Sequence, residues 1–109
     1  MVVEPHAARR YRAWRAYAPG MPERRLVLFY DYIPDVLERR GPLRPAHLEQ
    51  VAEWKADGRL VMAGALGDPP TGAALVFRED VDPEEFARTD PYVREGIVTA
   101  RRVVPWLLV

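Results

Sequence analysis

The sequence predicts an α+β fold, four strands and two principal helices in the order β-α-β-β-α-β. Three observations carry this. Four short runs rich in Val, Leu, Ile and aromatic residues read as strands. A proline-started stretch separates the first two, and an Asp-Pro-Glu-Glu helix start separates the last two. The chain has 109 residues, one domain's worth, and 49% of them are hydrophobic, which argues against disorder for the bulk of it.

Leu26 to Ile33 reads as the first strand. Strict alternation sends Val27, Phe29 and Ile33 to one face and Leu28, Tyr30 and Tyr32 to the other, so both faces need cover. A loop rich in Pro and Gly then leads to a helix starting at Pro45, with Leu48, Val51, Ala52 and Lys55 as its expected inner stripe and Gly58 as a left-handed stop. Leu60–Leu66 and Ala73–Arg78 form a hairpin whose long tip is Gly67–Gly72. Asp82-Pro83-Glu84-Glu85 opens a short helix that ends near Thr89, and Asp90-Pro91 starts another turn that closes at Gly96. Ile97–Val109 is the last strand, where Pro105 demands an edge position or a bulge.

This order is the ferredoxin-like split βαβ arrangement. Right-handed crossovers give an antiparallel sheet of strand order 4-1-3-2, with the helices on one face. The opposite face keeps large apolar side chains without cover, and a second copy of the sheet is the expected cover, making a homodimer. The domain spans residues 26–109. Residues 1–25 form a basic N-terminal extension with six arginines against Glu4 and Glu23. Tyr11, Trp14 and Tyr17 fall at helical spacing there, ahead of a Pro19-Gly20 break. An arm for an acidic partner or a membrane surface is one reading of it. A dispensable extension is the preferred one, since Met21 stands just ahead of the first strand.

Composition narrows the chemistry. There is no cysteine, serine or asparagine, which removes disulfides, thiolate nucleophiles, cysteine-held metals and any Ser/His/Asp triad. Acid–base chemistry remains, as does attack by a carboxylate, threonine, histidine or Lys55. Net charge is zero, and beyond residue 25 the chain is acidic, so nothing electrostatic favours nucleic acid. No apolar run is long enough to span a bilayer and no signal segment opens the chain, so a cytoplasmic protein without a membrane partner is expected.

Topology brings Asp31, Tyr32, Arg44 and His47 to one end of the sheet, together with the hairpin tip and with Asp90, Pro91 and Tyr92. His47 is the one histidine of residues 26–109. A carboxylate on one ring nitrogen would fix the tautomer and leave the other nitrogen to exchange a proton. Two plainer roles stand beside this: Asp90 as a helix N-cap and His47 as a hydrogen-bonded, half-buried filler.

Tyr30, Asp35, Arg39 and Arg40 precede Arg44-Pro45-Ala46-His47-Leu48, followed by Gly58, Gly64, Asp90-Pro91-Tyr92, Gly96 and Pro105. In this pattern the chain resembles the YciI-like (YCII-related) family of dimeric α/β proteins over about residues 26–109. The resemblance implies that His47 and Asp90 form a catalytic dyad. It also implies a small-molecule enzyme, a dehydrochlorinase of chlorinated hydroxyquinols being a worked case, although most members have no assigned reaction. Ala65 replaces the proline of many members, the helix from Pro83 is short, and the basic extension has no counterpart. Together these readings make His47 the general acid/base, Asp90 its orienting partner and Arg44 a clamp for an anionic or phenolic oxygen. Tyr32 and Tyr92 supply aromatic walls and hydroxyl donors. The expected reaction is elimination, isomerisation or a related proton transfer on a small molecule, with no cofactor. A non-catalytic ligand-binding or assembly domain with the same pocket is the alternative. Haem or metal on His47 is a weaker idea, because no other ligands cluster with it in the sequence.

Overall fold

The computed structural model describes residues 23–109, so the expectations for residues 1–20 lie outside the described residues. The elements run β1 (Arg24–Tyr32), α1 (Val36–Arg39), α2 (Arg44–Ala56), β2 (Leu60–Leu66), β3 (Gly72–Arg78), α3 (Pro83–Thr89), α4 (Pro91–Arg94) and β4 (Val98–Leu107). The sheet order is β2-β3-β1-β4 with every neighbouring pair antiparallel, the expected ferredoxin-like order. Pro105 sits opposite Leu26 on β4, an edge strand, where its missing N–H interrupts nothing further out.

Strand β1 begins earlier than expected, because Arg24 and Arg25 pair with Leu107 and Trp106. Both arginines, expected in the extension, thus belong to the sheet. Gly58 has φ +82°, the left-handed stop expected after α2, and the Asp82 carboxylate accepts the Glu84 N–H at 3.0 Å to start α3.

Three expectations need correction. Ile33 does not share a face with Val27 and Phe29. The ladder between β1 and β4 shifts at Asp31/Tyr32, the Ile33 N–H bonds to the Ile97 carbonyl, and the side chain packs with Val36, Tyr92 and Ile97. The loop after β1 also contains a helical turn, α1, which buries Val36. The third correction is the α2 stripe. Leu48, Ala52 and Lys55 are exposed and Val51 is half-buried, while His47 and Trp54 are the buried residues. Two polar side chains replaced apolar ones on the inner face because each finds a partner there. His47 meets Asp90, and Gln50 donates to the Phe86 carbonyl at 2.8 Å. The helix also starts one residue early, at Arg44, with Pro45 in its first turn.

The core lies between the helices and the inner sheet face. Leu28, Tyr30, Leu75 and Phe77 come from the sheet, and Trp54, Phe86 and Ala87 from the helices. Trp54, Phe77 and Phe86 meet edge to face, with ring centroids 5.2 to 5.9 Å apart, the arrangement aromatic quadrupoles favour. The outer sheet face is different. Val27, Phe29, Met62, Val76, Val104 and Trp106 line an open apolar trough of about 570 Å³, with Met62 and Trp106 about half exposed.

Gly72 sits at a close approach of β3 to β1. It pairs with Asp31, and a Cβ there would collide with the Tyr30 carbonyl oxygen, which is backbone and cannot turn aside. Gly72→Ala should therefore cost about 2 kcal/mol or more, as overpacking does. Denaturant unfolding measures it, and a variant as stable as the parent would show that β1 and β3 can separate there freely.

Candidate functional site

Asp90 joins α3 to α4 with an extended backbone (φ −69°, ψ 121°), and its Oδ1 accepts the Tyr92 N–H at 3.0 Å. That is the N-cap role. The same carboxylate is wholly buried, and a buried carboxylate needs more than one donor. Nδ1 of His47 lies 2.8 Å from Oδ1, and the Tyr30 hydroxyl donates to Oδ2 at 2.9 Å. Cap and histidine partner, alternatives in the sequence, are one arrangement in the fold.

An ionised carboxylate can only accept, so Nδ1 carries the hydrogen of the His47 contact. Nε2 is then the ring nitrogen left for an incoming molecule. The imidazole lies flat on the Tyr92 ring, with centroids 3.8 Å apart and planes 4° apart, and Tyr32 meets Tyr92 edge-on at 6.1 Å. His47 stands in the first turn of α2, its N–H bonded to the Leu43 carbonyl at 3.1 Å, so the helix itself sets the ring's position.

A pocket of about 310 Å³ opens beside this cluster. Tyr32, Arg40, Arg44, His47 and Tyr92 give it polar groups, and Leu48, Val51, Ala73 and Leu75 give it an apolar floor. Ala63 and Ala65 of β2 and Pro70 of the hairpin tip close the far side, so that tip does reach this end of the sheet. The fold thus gathers all five residues singled out in the sequence: His47, Arg44, Tyr32 and Tyr92 on the wall, Asp90 buried against His47. Asp31 stays exposed and lines no part of it.

Two members were missed. Tyr30 holds the second carboxylate oxygen, and the available signal was an inward tyrosine whose buried hydroxyl requires a partner. Arg40 lines the pocket while Arg39 is exposed, and only the unforeseen turn α1 decides between those neighbours.

Burial pushes both strand tyrosines up. Tyr32 is raised to about 12, by burial first and then by Tyr92 and the negative Asp90, with Arg40 and Arg44 pulling the other way. Tyr30 is driven well above the usual tyrosine range by burial, and by the charge and hydrogen bond of Asp90. Both hydroxyls are therefore protonated donors at neutral pH. Among the described residues no group of three or more His, Asp or Glu side chains converges to hold a metal ion, and no helix is long and apolar enough to cross a membrane.

Residues 25–107 match the YCII-related domain family. An uncharacterized protein of Haemophilus influenzae and the protein YciI of Escherichia coli are each 31% identical over 91 residues, covering 73% of this chain and 93% of the relative. Among solved structures, 5-chloro-2-hydroxyhydroquinone dehydrochlorinase (TftG) from Burkholderia phenoliruptrix, in complex with 2,5-dihydroxybenzoquinone, aligns with a TM-score of 0.61. It is 23% identical, with 75% of this chain and 92% of that one covered, a likeness that speaks to the fold alone.

The raised tyrosines have a consequence at high pH. Free tyrosine loses its proton near 10.0, so above that pH the unfolded chain binds fewer protons than the folded one. Stability contributed by the neutral phenols is whole below pH 10 and is lost as pH rises toward 12 and beyond. Alkaline denaturation followed by tyrosinate absorbance should show Tyr30 ionising only with unfolding, and Tyr30→Phe should flatten the decline. Ionisation of both residues near pH 10 in a still-folded protein would contradict this.

Proposed function

The chain belongs to the YCII-related family, and from that premise we propose that its pocket takes a small molecule and moves a proton on it, with His47 as general acid/base. The observation that carries the proposal is the 2.8 Å contact between His47 Nδ1 and the buried Asp90 carboxylate at the pocket wall. Asp90 is the positioning residue: it fixes the tautomer, aims the ring and supports the imidazolium that forms when Nε2 accepts a proton. Arg44 holds an anionic or phenolic oxygen of the substrate, and Tyr32 and Tyr92 act as walls and hydroxyl donors.

In an elimination, Nε2 removes a proton from carbon, the C–H electron pair becomes the new double bond, and an anion departs from the adjacent carbon. An isomerisation returns the same proton to another position. Neither step calls for a cofactor. The dehydrochlorinase that shares this fold is an enzyme of the eliminating kind. A non-catalytic ligand-binding domain is the second reading, favoured by the little of the His47 side chain that is exposed, 11%.

A metabolite screen for thermal stabilisation, followed by turnover assays on the hits, separates them. The expected result is turnover that falls about 100-fold or more in His47→Ala. Adding Asp90→Asn should bring little further loss, because Asp90 then has nothing left to orient. Asparagine can still accept from the Tyr92 N–H and from Nδ1, so Asp90→Asn keeps the fold while removing the charge. Asp90→Ala strands the Tyr30 hydroxyl and Nδ1 and should cost about 3 kcal/mol. Full activity and an unchanged pH profile in Asp90→Asn would overturn the pairing, and ligands that bind without turnover would favour the second reading.

The outer sheet face supports a homodimer, because a trough lined by Phe29, Val76 and Trp106 has no cover within the described chain. Light scattering should give twice the 12.5 kDa chain mass, and Trp106→Glu should shift the protein toward monomer. A parent protein that stays monomeric at micromolar concentration is the opposing result.

A further inference from the structure

Among the described residues the pocket beside His47 is charged in one sense only. Arg40 and Arg44 line it, no lining residue is acidic, and neither guanidinium has a carboxylate partner among the described residues. Asp90 cannot serve them, since it is fully buried and already accepts from three donors. The 13-residue helix α2 also begins here, and its first turn holds no acidic residue and no side-chain cap.

An independent observation points to a ligand. Among the described residues the buried Tyr92 hydroxyl has no hydrogen-bond partner, and Tyr92 is 1% exposed on the wall of this pocket. A buried hydroxyl left unpaired is costly, and such groups in native folds call for a partner the protein itself does not supply. Tyr32 ties the groups together, because its phenol senses Tyr92, Arg40 and Arg44 at once.

We infer that the pocket selects a compact ligand carrying an anionic oxygen group, a carboxylate or a ring oxyanion, which Arg40 and Arg44 hold and to which the Tyr92 hydroxyl donates. The apolar body of the ligand lies on Leu48, Val51 and Leu75. A pocket of about 310 Å³ is roughly ten water volumes, enough for one ring and its substituents. Arg40 thereby becomes a specificity residue beside Arg44. The inference rests on the proton-transfer reading only for the chemistry after binding.

Calorimetric titration of the full chain with three probes tests it: benzoate for the carboxylate, 2,5-dihydroxybenzoquinone for the ring oxyanion, and benzamide as the neutral isostere. At least one anion should bind tenfold or more tighter than benzamide, more weakly as salt rises, and which anion does so identifies the group. Arg40→Gln/Arg44→Gln should weaken that anion about tenfold or more and leave benzamide unchanged. Tyr92→Phe should weaken it severalfold with Tm unchanged or higher, because the hydroxyl it deletes bonds nothing among the described residues; a structural tyrosine would lower Tm instead. Equal binding of benzamide and both anions, or anion binding indifferent to the arginine variant, overturns the inference. If a neutral substrate is turned over through His47 while both anions are ignored, the anion site fails and the acid/base reading stands. Arginine-dependent anion binding with no His47-dependent turnover gives the reverse.

Discussion

Burial of the Asp90 carboxylate is the constraint on which the arrangement depends. An ion removed from water loses several kcal/mol of solvation unless donors replace the lost shell. Here the replacements come from three places far apart in the chain: the Tyr30 hydroxyl on β1, Nδ1 of His47 on α2, and the Tyr92 N–H of the turn Asp90 itself opens. None is dispensable without leaving a polar group stranded. The central strand, the long helix and the α3–α4 junction are therefore held in register by a single side chain, and the pocket wall inherits that rigidity.

The hydrophobic core sets the frame in which this can happen. Packing of Trp54 and Phe86 over Phe77 seats α2 and α3 on the inner sheet face, and the Gln50 bond to the Phe86 carbonyl ties the two helices together. That leaves the first turn of α2 beside the end of α3, which is where His47 and Asp90 face one another. The outer face of the same sheet carries apolar side chains as well, so the central strand does not alternate apolar with polar in the usual sense.

Charge is segregated around the His47 ring. The acid is buried and fully engaged, while the two guanidiniums line the pocket. Such an arrangement orients the imidazole by a buried negative charge while the guanidiniums leave the pocket wall positive. The flat stack of Tyr92 on the imidazole adds a steric limit, since it occupies one ring face and directs approach toward Nε2.

The sequence by itself determined the element order, the strand order, the edge position of β4 and the placing of His47 and Asp90 at one end of the sheet. Those come from apolar runs, proline and glycine positions and the handedness of crossovers, which are local signals or topological rules. The inner stripe of α2 was not legible, because periodicity rewards Leu48 and Ala52 while the fold turns His47 and the half-buried Gln50 inward. Polar residues can be buried when a partner exists, and the partners, Asp90 and the Phe86 carbonyl, are roughly forty residues away in sequence. The turn α1, which decides that Arg40 and not Arg39 lines the pocket, and the shift that turns Ile33 inward belong to the same class. Likewise Tyr30 could be placed on the inner face from alternation, but only the tertiary structure brings its hydroxyl to Asp90, because hydrogen-bond pairing across the core depends on distances that no local pattern encodes.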